Sequence, residues 1–201
     1  MSNLGRLLVL TDRRQARRPL PSVVAEAVAG GARTVILREK DLPPGARRAL
    51  ADELHRILAP AGGTLIVAGG TLIVAGGPGA CVHLAAADPM PADRPALVGR
   101  SCHDPSSVDA ATAEGVDYLT VSPVYPSTSK PGYGPPLGPD GLARLAGRTD
   151  VPVFALGGLE SPAAVAACLA AGAAGVAVMG AVMRADDPAA VVGKLLAEVT
   201  S

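Results

Sequence analysis

Cationic and hydroxyl side chains gather in a few short stretches of this sequence. Arg38, Glu39, Lys40 and Asp41 stand together, His83 precedes Asp88 by five residues, and Ser101, His103 and Asp104 are near neighbours. A later segment brings Ser122, Ser127, Thr128, Ser129 and Lys130, and two glycine corners follow, Gly157-Gly158 and Met179-Gly180. Arg38 can fork onto two phosphate oxygens, while Lys40 and Lys130 supply point charges. Bare glycine backbone can offer N–H groups to the same anion, or it can simply make a tight turn. Together these residue types point to a small phosphorylated substrate.

Several of these residues carry two readings each. Asp88 suits Mg²⁺ bridging phosphate oxygens, an ion that accepts one or two carboxylates and keeps several waters; it equally suits a helix cap. His83 and His103 are either hydrogen-bonded structural residues or ligand contacts. Asp12 sits where a turn or cap residue would. Cys102 beside His103 suggests a nucleophile, but no third group is identifiable to orient the pair.

Such groups need a scaffold that brings them to one place. Short apolar, β-branched runs recur at 6–11, 33–38, 64–68, 81–84, 97–101, 117–121, 151–155 and 174–179, and Ala-rich segments of helical length separate most of them. The runs are nearly continuous rather than alternating, as expected of parallel strands covered on both faces. Eight such strands in one chain predict a single α/β domain over residues 1–201, a closed (β/α)₈ TIM barrel. Helix signals occur at 20–30, 43–58, 105–114 and 161–171. The third helix is the weak one, because residues 61–77 read AGGTLIV, AGGTLIV, AGG, and a short or distorted helix is expected there. In a parallel barrel, catalytic groups project from the C-terminal strand ends, which is where the polar residues above fall.

Composition removes other classes of function. Hydrophobic residues make up 49% of the chain and charged ones 18%, which suits a compact core and not disorder. Eighteen basic and eighteen acidic residues cancel, and only four residues are aromatic, so neither a field nor stacking platforms exist for nucleic acid. Residues 57–87 lack Asp, Glu, Lys and Arg, yet the seven glycines between Ala61 and Ala80 oppose a membrane helix. The N-terminal apolar run is too short for a signal-peptide core. Three scattered cysteines, Cys81, Cys102 and Cys168, form no metal spacing and suit a reducing cytoplasm. The Ala-rich helices would tolerate a homodimer.

Seven motifs in order resemble the thiamine phosphate synthase and thiazole tautomerase (TenI) superfamily: LTDR (10–13), LREKD (37–41), VHL (82–84) with Asp88 after it, GRSCHD (99–104), GVDYLTVSPVYPSTSKPG (115–132), VPVFALGGL (151–159) and GAAGVAVMGAV (172–182). The resemblance spans nearly the whole chain. It implies a barrel that binds a thiazole phosphate and, in the synthases, a pyrimidine pyrophosphate with Mg²⁺. Arg38, Lys40, Ser101 and Lys130 match the family's pyrophosphate-stabilising positions, and Ser127 and Ser129, with Thr128 between them, match its hydroxyls. Gly157 and Gly158 match the thiazole-phosphate loop, and Asp88 matches one of two magnesium carboxylates.

The departures are as informative. The synthases resemble one another in an Asn-Asp pair fourteen residues before the VHL motif, and that count lands on Ala68 and Gly69. Ile36 stands where a glutamine is usual, and Gly180 where a serine is. The tautomerase branch often carries a histidine at the position of Pro123, so here His103 or His83 would have to serve it. Three readings follow: a transferase of thiamine biosynthesis with a depleted magnesium site, an isomerase acting on a thiazole carboxylate phosphate, and a non-catalytic phosphate-ligand binding or regulatory protein.

Overall fold

A computed structural model describes residues 4–69, 80–127 and 134–200. Eight strands run in parallel around one closed ring: β1 (Leu7–Leu10), β2 (Thr34–Leu37), β3 (Thr64–Ala68), β4 (Cys81–Leu84), β5 (Leu97–Cys102), β6 (Tyr118–Val121), β7 (Val153–Leu156) and β8 (Gly175–Val178), with β8 closing onto β1. Every strand predicted from the sequence is present within two residues at each end, and the barrel expectation holds.

The strands look uniformly apolar because each is buried on both sides, yet they sort their residues with period two. Leu8 and Leu10 fill the ring with Ile36, Ile66, Tyr118 and Phe154. Leu7 and Val9 point the other way, packing with Val35 and Leu37 against helices. Small residues make room for the two interior rings. A Cβ on Gly99 would lie 2.0 Å from Tyr118 Cζ, and one on Gly175 would lie 2.7 Å from Phe154 Cε1. Tyr118 and Phe154 then meet edge to face at 5.7 Å.

The helices form the outer layer. α1 (Leu20–Ala29) buries Leu20, Val23, Val24 and Ala27, one apolar stripe at helical spacing. α2 (Pro44–Leu58) follows β2 and runs into a 3₁₀ turn at Ala59–Ala61. α3 (Pro105–Ala113) starts at a capping box in which Asp104 accepts the Ser107 N–H at 2.8 Å, an arrangement worth about 1 kcal/mol. α4 (Gly138–Ala146), α5 (Pro162–Ala170), the single turn α6 (Gly180–Met183) and α7 (Pro188–Thr200) complete the layer. The helix expected between β3 and β4 falls mostly on residues 70–79, outside the described residues. Residues 85–96 hold turns instead of a helix between β4 and β5. No helix among the described residues is long and apolar enough to cross a membrane, and the uncharged stretch supplies β3 and β4 instead.

Candidate active site

The C-terminal strand ends surround a cavity of about 1120 Å³ whose lining includes Arg38, Lys40, Ser101, His103, Gly157 and Met179. Asp12, His83, Ser127, Gly158 and Gly180 also line it. The chain segments named in the sequence therefore converge on one mouth. Thr128, Ser129 and Lys130 lie outside the described residues.

β2 delivers four charged residues in a row, and the fold separates them. Glu39 and Asp41 are taken by the loop after β1. Arg13 donates to Glu39 Oε2 at 2.9 Å and forks onto both Asp41 oxygens at 2.7 and 2.6 Å, while Arg14 reaches Asp41 at 2.7 Å. Those bonds hold the Asp41 carboxyl far below its usual range and raise the Arg13 guanidinium. Arg38 and Lys40 are left to the cavity. The Arg38 guanidinium is half-buried, reaches the Met179 sulfur across the mouth at 3.3 Å, and has no carboxylate partner among the described residues. Its backbone N–H is fixed by Thr11 Oγ1 at 3.0 Å.

Behind Arg38 stands a residue that sequence patterning does not single out. Arg47, 5% exposed on α2, donates to the carbonyls of Leu37 and Arg38 at 3.3 and 3.1 Å and to that of Ala68. It ties the ends of β2 and β3 together. Burial lowers its pKa, and the nearby Glu39 carboxylate opposes that shift. Its only sequence signal would have been an arginine on the apolar side of a helix.

At the end of β4, Asp88 folds back so that its Oδ2 accepts the Ala85 N–H at 2.8 Å. Arg100, 3% exposed, donates one nitrogen to the carbonyls of Ala85, Ala86 and Asp88, bracing that turn, and pairs with Glu114 at 2.7 Å. Asp88 is thus a turn-closing residue that also presents charge. Lys40 Nζ lies 3.9 Å from it.

Deeper in the ring, His83 bonds Ser101 Oγ through Nε2 at 2.9 Å and the Tyr118 hydroxyl through Nδ1 at 3.0 Å. Burial, helped by the nearby positive charges of Lys40 and Arg100, drives its pKa down to about 3, so the ring is neutral. Of its two readings, the hydrogen-bonded structural one is what the geometry supports: His83 orients Ser101. His103 differs. Its Nδ1 donates to the Ser122 carbonyl at 2.8 Å, which assigns the lone pair of the neutral ring to Nε2. Asp12 is a local cap, accepting from the Arg14 N–H and the Gln15 amide. Cys102 is fully buried, gives its S–H to the Ser107 carbonyl at 3.4 Å, and burial pushes its thiol up to about 11. That is the opposite of an activated nucleophile.

Gly157 and Gly158 have φ of 102° and 67°. A Cβ on Gly158 would lie 2.5 Å from the Pro126 carbonyl oxygen, so the tight turn demands glycine there, and the same turn faces the cavity. Gly180 is likewise crowded. A Cβ there would lie 2.3 Å from Arg184 Nη1, and Arg184 donates to Gln15 and to Glu160 at 2.6 Å. Arg184 was not among the residues singled out from the sequence. β3 ends in Ala68, which lines the cavity, and Gly69, whose φ is 90°.

The model of the thiamine monophosphate synthase family matches residues 7–182. Over 190 residues the chain is 41% identical to a Geobacter sulfurreducens protein provisionally named thiamine-phosphate synthase, covering 90% of this chain and 88% of the other. It is 36% identical over 210 residues to the thiamine-phosphate synthase of Salinispora tropica, covering all of both. Among solved structures it is similar to a thiamine phosphate pyrophosphorylase from Pyrococcus furiosus, with a TM-score of 0.84 and 26% identity over 98% of this chain and 96% of that one.

Proposed function

Because the chain belongs to the thiamine monophosphate synthase family, we propose that it joins a hydroxymethylpyrimidine pyrophosphate to a thiazole phosphate, releasing pyrophosphate. In that step the bond between the pyrimidine methylene and the pyrophosphate oxygen breaks, and its electron pair leaves with the pyrophosphate. The lone pair of the thiazole nitrogen then forms the new carbon–nitrogen bond. Negative charge builds on the departing group, so fixed cations beside it lower the barrier. Arg38 and Lys40 take that role, with Ser101, held by His83, donating a hydroxyl; the family resemblance assigns Ser127, Thr128, Ser129 and Lys130 to the same group. The Gly157-Gly158 turn and the Met179-Gly180 corner cradle the thiazole phosphate. The observation that carries this reading is Arg38: a half-buried guanidinium with no carboxylate partner among the described residues, aimed across a cavity lined by Gly157 and Gly158.

Mg²⁺, expected from the resemblance, does not fit the residues present. Asp88 is one carboxylate, already closing its own turn, and Ala68 and Gly69 have no donor side chain. Among the described residues no group of three metal-ligating side chains exists.

The test is incubation of the protein with both substrates. Pyrophosphate release, and its loss in Arg38→Ala, is expected; no release alongside saturable thiazole-phosphate binding would overturn the reading. A second reading, isomerisation of a carboxylated thiazole phosphate, draws support from the His103 tautomer, whose Nε2 could move the proton. Turnover of that compound, abolished by His103→Ala, would select it. The binding-protein reading requires only that a phosphate ligand raise the melting temperature. We further read residues 1–201 as one barrel domain. The three cysteines, none of them in a disulfide, support a cytoplasmic setting, and the homodimer expected from the Ala-rich helices is open to light scattering.

A further inference from the structure

We infer that this chain takes a diphosphate group without a divalent cation, the Lys40 ammonium standing where a metal between two carboxylates would otherwise stand. The inference rests on the synthase reading above and concerns the same site.

Three observations carry it. First, Lys40 lies across the end of β3. A Cβ built on Gly69 would be 3.2 Å from Lys40 Cε and 3.5 Å from Nζ, so a side chain at residue 69 would compete with the lysine for that space. Gly69 also holds φ at 90°, a conformation an aspartate rarely adopts, while its N–H bonds the His83 carbonyl at 2.8 Å. The backbone here is built for an absent side chain and a lysine laid over it.

Second, the ammonium is 3.9 Å from Asp88 Oδ2, close enough to be held by its charge but beyond a hydrogen bond. Among the described residues no hydrogen bond engages Nζ, so its donors remain for an anion. Half of the Lys40 side chain is exposed, on the cavity side of the turn that Arg100 braces.

Third, a dication at Asp88 would have one carboxylate and an ammonium for neighbours. Mg²⁺ held by a pair of carboxylates has its charge balanced; here the lysine would repel it. A diphosphate, by contrast, meets Arg38 and Lys40 as two direct cations, neither consumed by a carboxylate hydrogen bond among the described residues.

Calorimetric titration of inorganic pyrophosphate into the full chain, once in EDTA and once in excess Mg²⁺, tests this. Affinity in EDTA is expected to be within about threefold of that in Mg²⁺, and Lys40→Met to weaken it at least about tenfold in EDTA, with Lys40→Arg retaining most of it. Thermal melts of the variants confirm folding. Binding that requires Mg²⁺, or Lys40→Met binding as tightly as wild type in EDTA, overturns the inference and leaves the synthase reading standing. No pyrophosphate binding under either condition overturns both.

Discussion

Two charged clusters sit side by side at the barrel mouth, both fed by the four residues 38–41. In one, Glu39 and Asp41 are saturated by Arg13 and Arg14; in the other, Arg38, Lys40 and Asp88 are under-paired. All four line the cavity, but the carboxylates of 39 and 41 are bonded to the β1 loop, whereas the cations of 38 and 40 are not consumed by it. Saturated charges stiffen a rim, and under-paired ones keep donors for a ligand. The first cluster is therefore scaffold and the second is site.

The contrast can be broken from either side. The largest effect is expected from Arg38→Ala, which should lower turnover by about 10²- to 10³-fold, as loss of one fixed charge-stabilising donor does, while the melting temperature moves little. Steady-state kinetics beside a thermal melt read this out. A large fall in stability with little change in turnover would place Arg38 in the scaffold instead.

Glu39→Gln should do the reverse. Its side chain is buried, and replacing the carboxylate leaves Arg13 with a weaker partner, costing about 1–3 kcal/mol in chemical denaturation, with turnover falling less than about tenfold. A variant as stable as wild type would remove the scaffold assignment.

His83 sharpens the comparison by pH. Its pKa is near 3 in the folded chain against 6.5 unfolded, so between those values the unfolded chain binds the extra proton. Stability contributed by the neutral ring is complete above about pH 6.5 and falls as the pH drops toward 3, by up to ~1.4 kcal/mol per pH unit. His83→Gln should flatten that slope in denaturation series. An unchanged slope would mean His83 titrates normally.

The smallest effect belongs to the outer scaffold. Arg14→Ala removes an exposed pair with Asp41 and should shift stability by less than about 0.5 kcal/mol. Cys102, shielded and with its thiol pushed up, should resist alkylation at pH 8 until the chain unfolds.

Much of this was legible beforehand, for reasons that differ by residue. The strands were readable because a parallel barrel buries both faces of each one, leaving short apolar β-branched runs with glycine, proline or aspartate around them. Counting back from Val82 exposed the missing pair at Ala68-Gly69. Three features were not legible. Arg47 and Arg100 look like surface arginines in sequence, yet they fold inward to hold carbonyls nine to twenty-one residues away. Arg184 takes the space a side chain on residue 180 would need, a contact one helical turn long that depends on where β8 ends.

The order of the strands, the glycine corners and the loss at residue 69 were determined by the sequence alone, because periodicity, backbone freedom and side-chain chemistry are local properties of the chain. Which of Arg38, Glu39, Lys40 and Asp41 are spent and which remain for a ligand was decided only by the closed barrel. That outcome depends on Arg13, Asp88 and Gly69 arriving from three other strand ends, and a charge is available only when nothing nearby has already neutralised it.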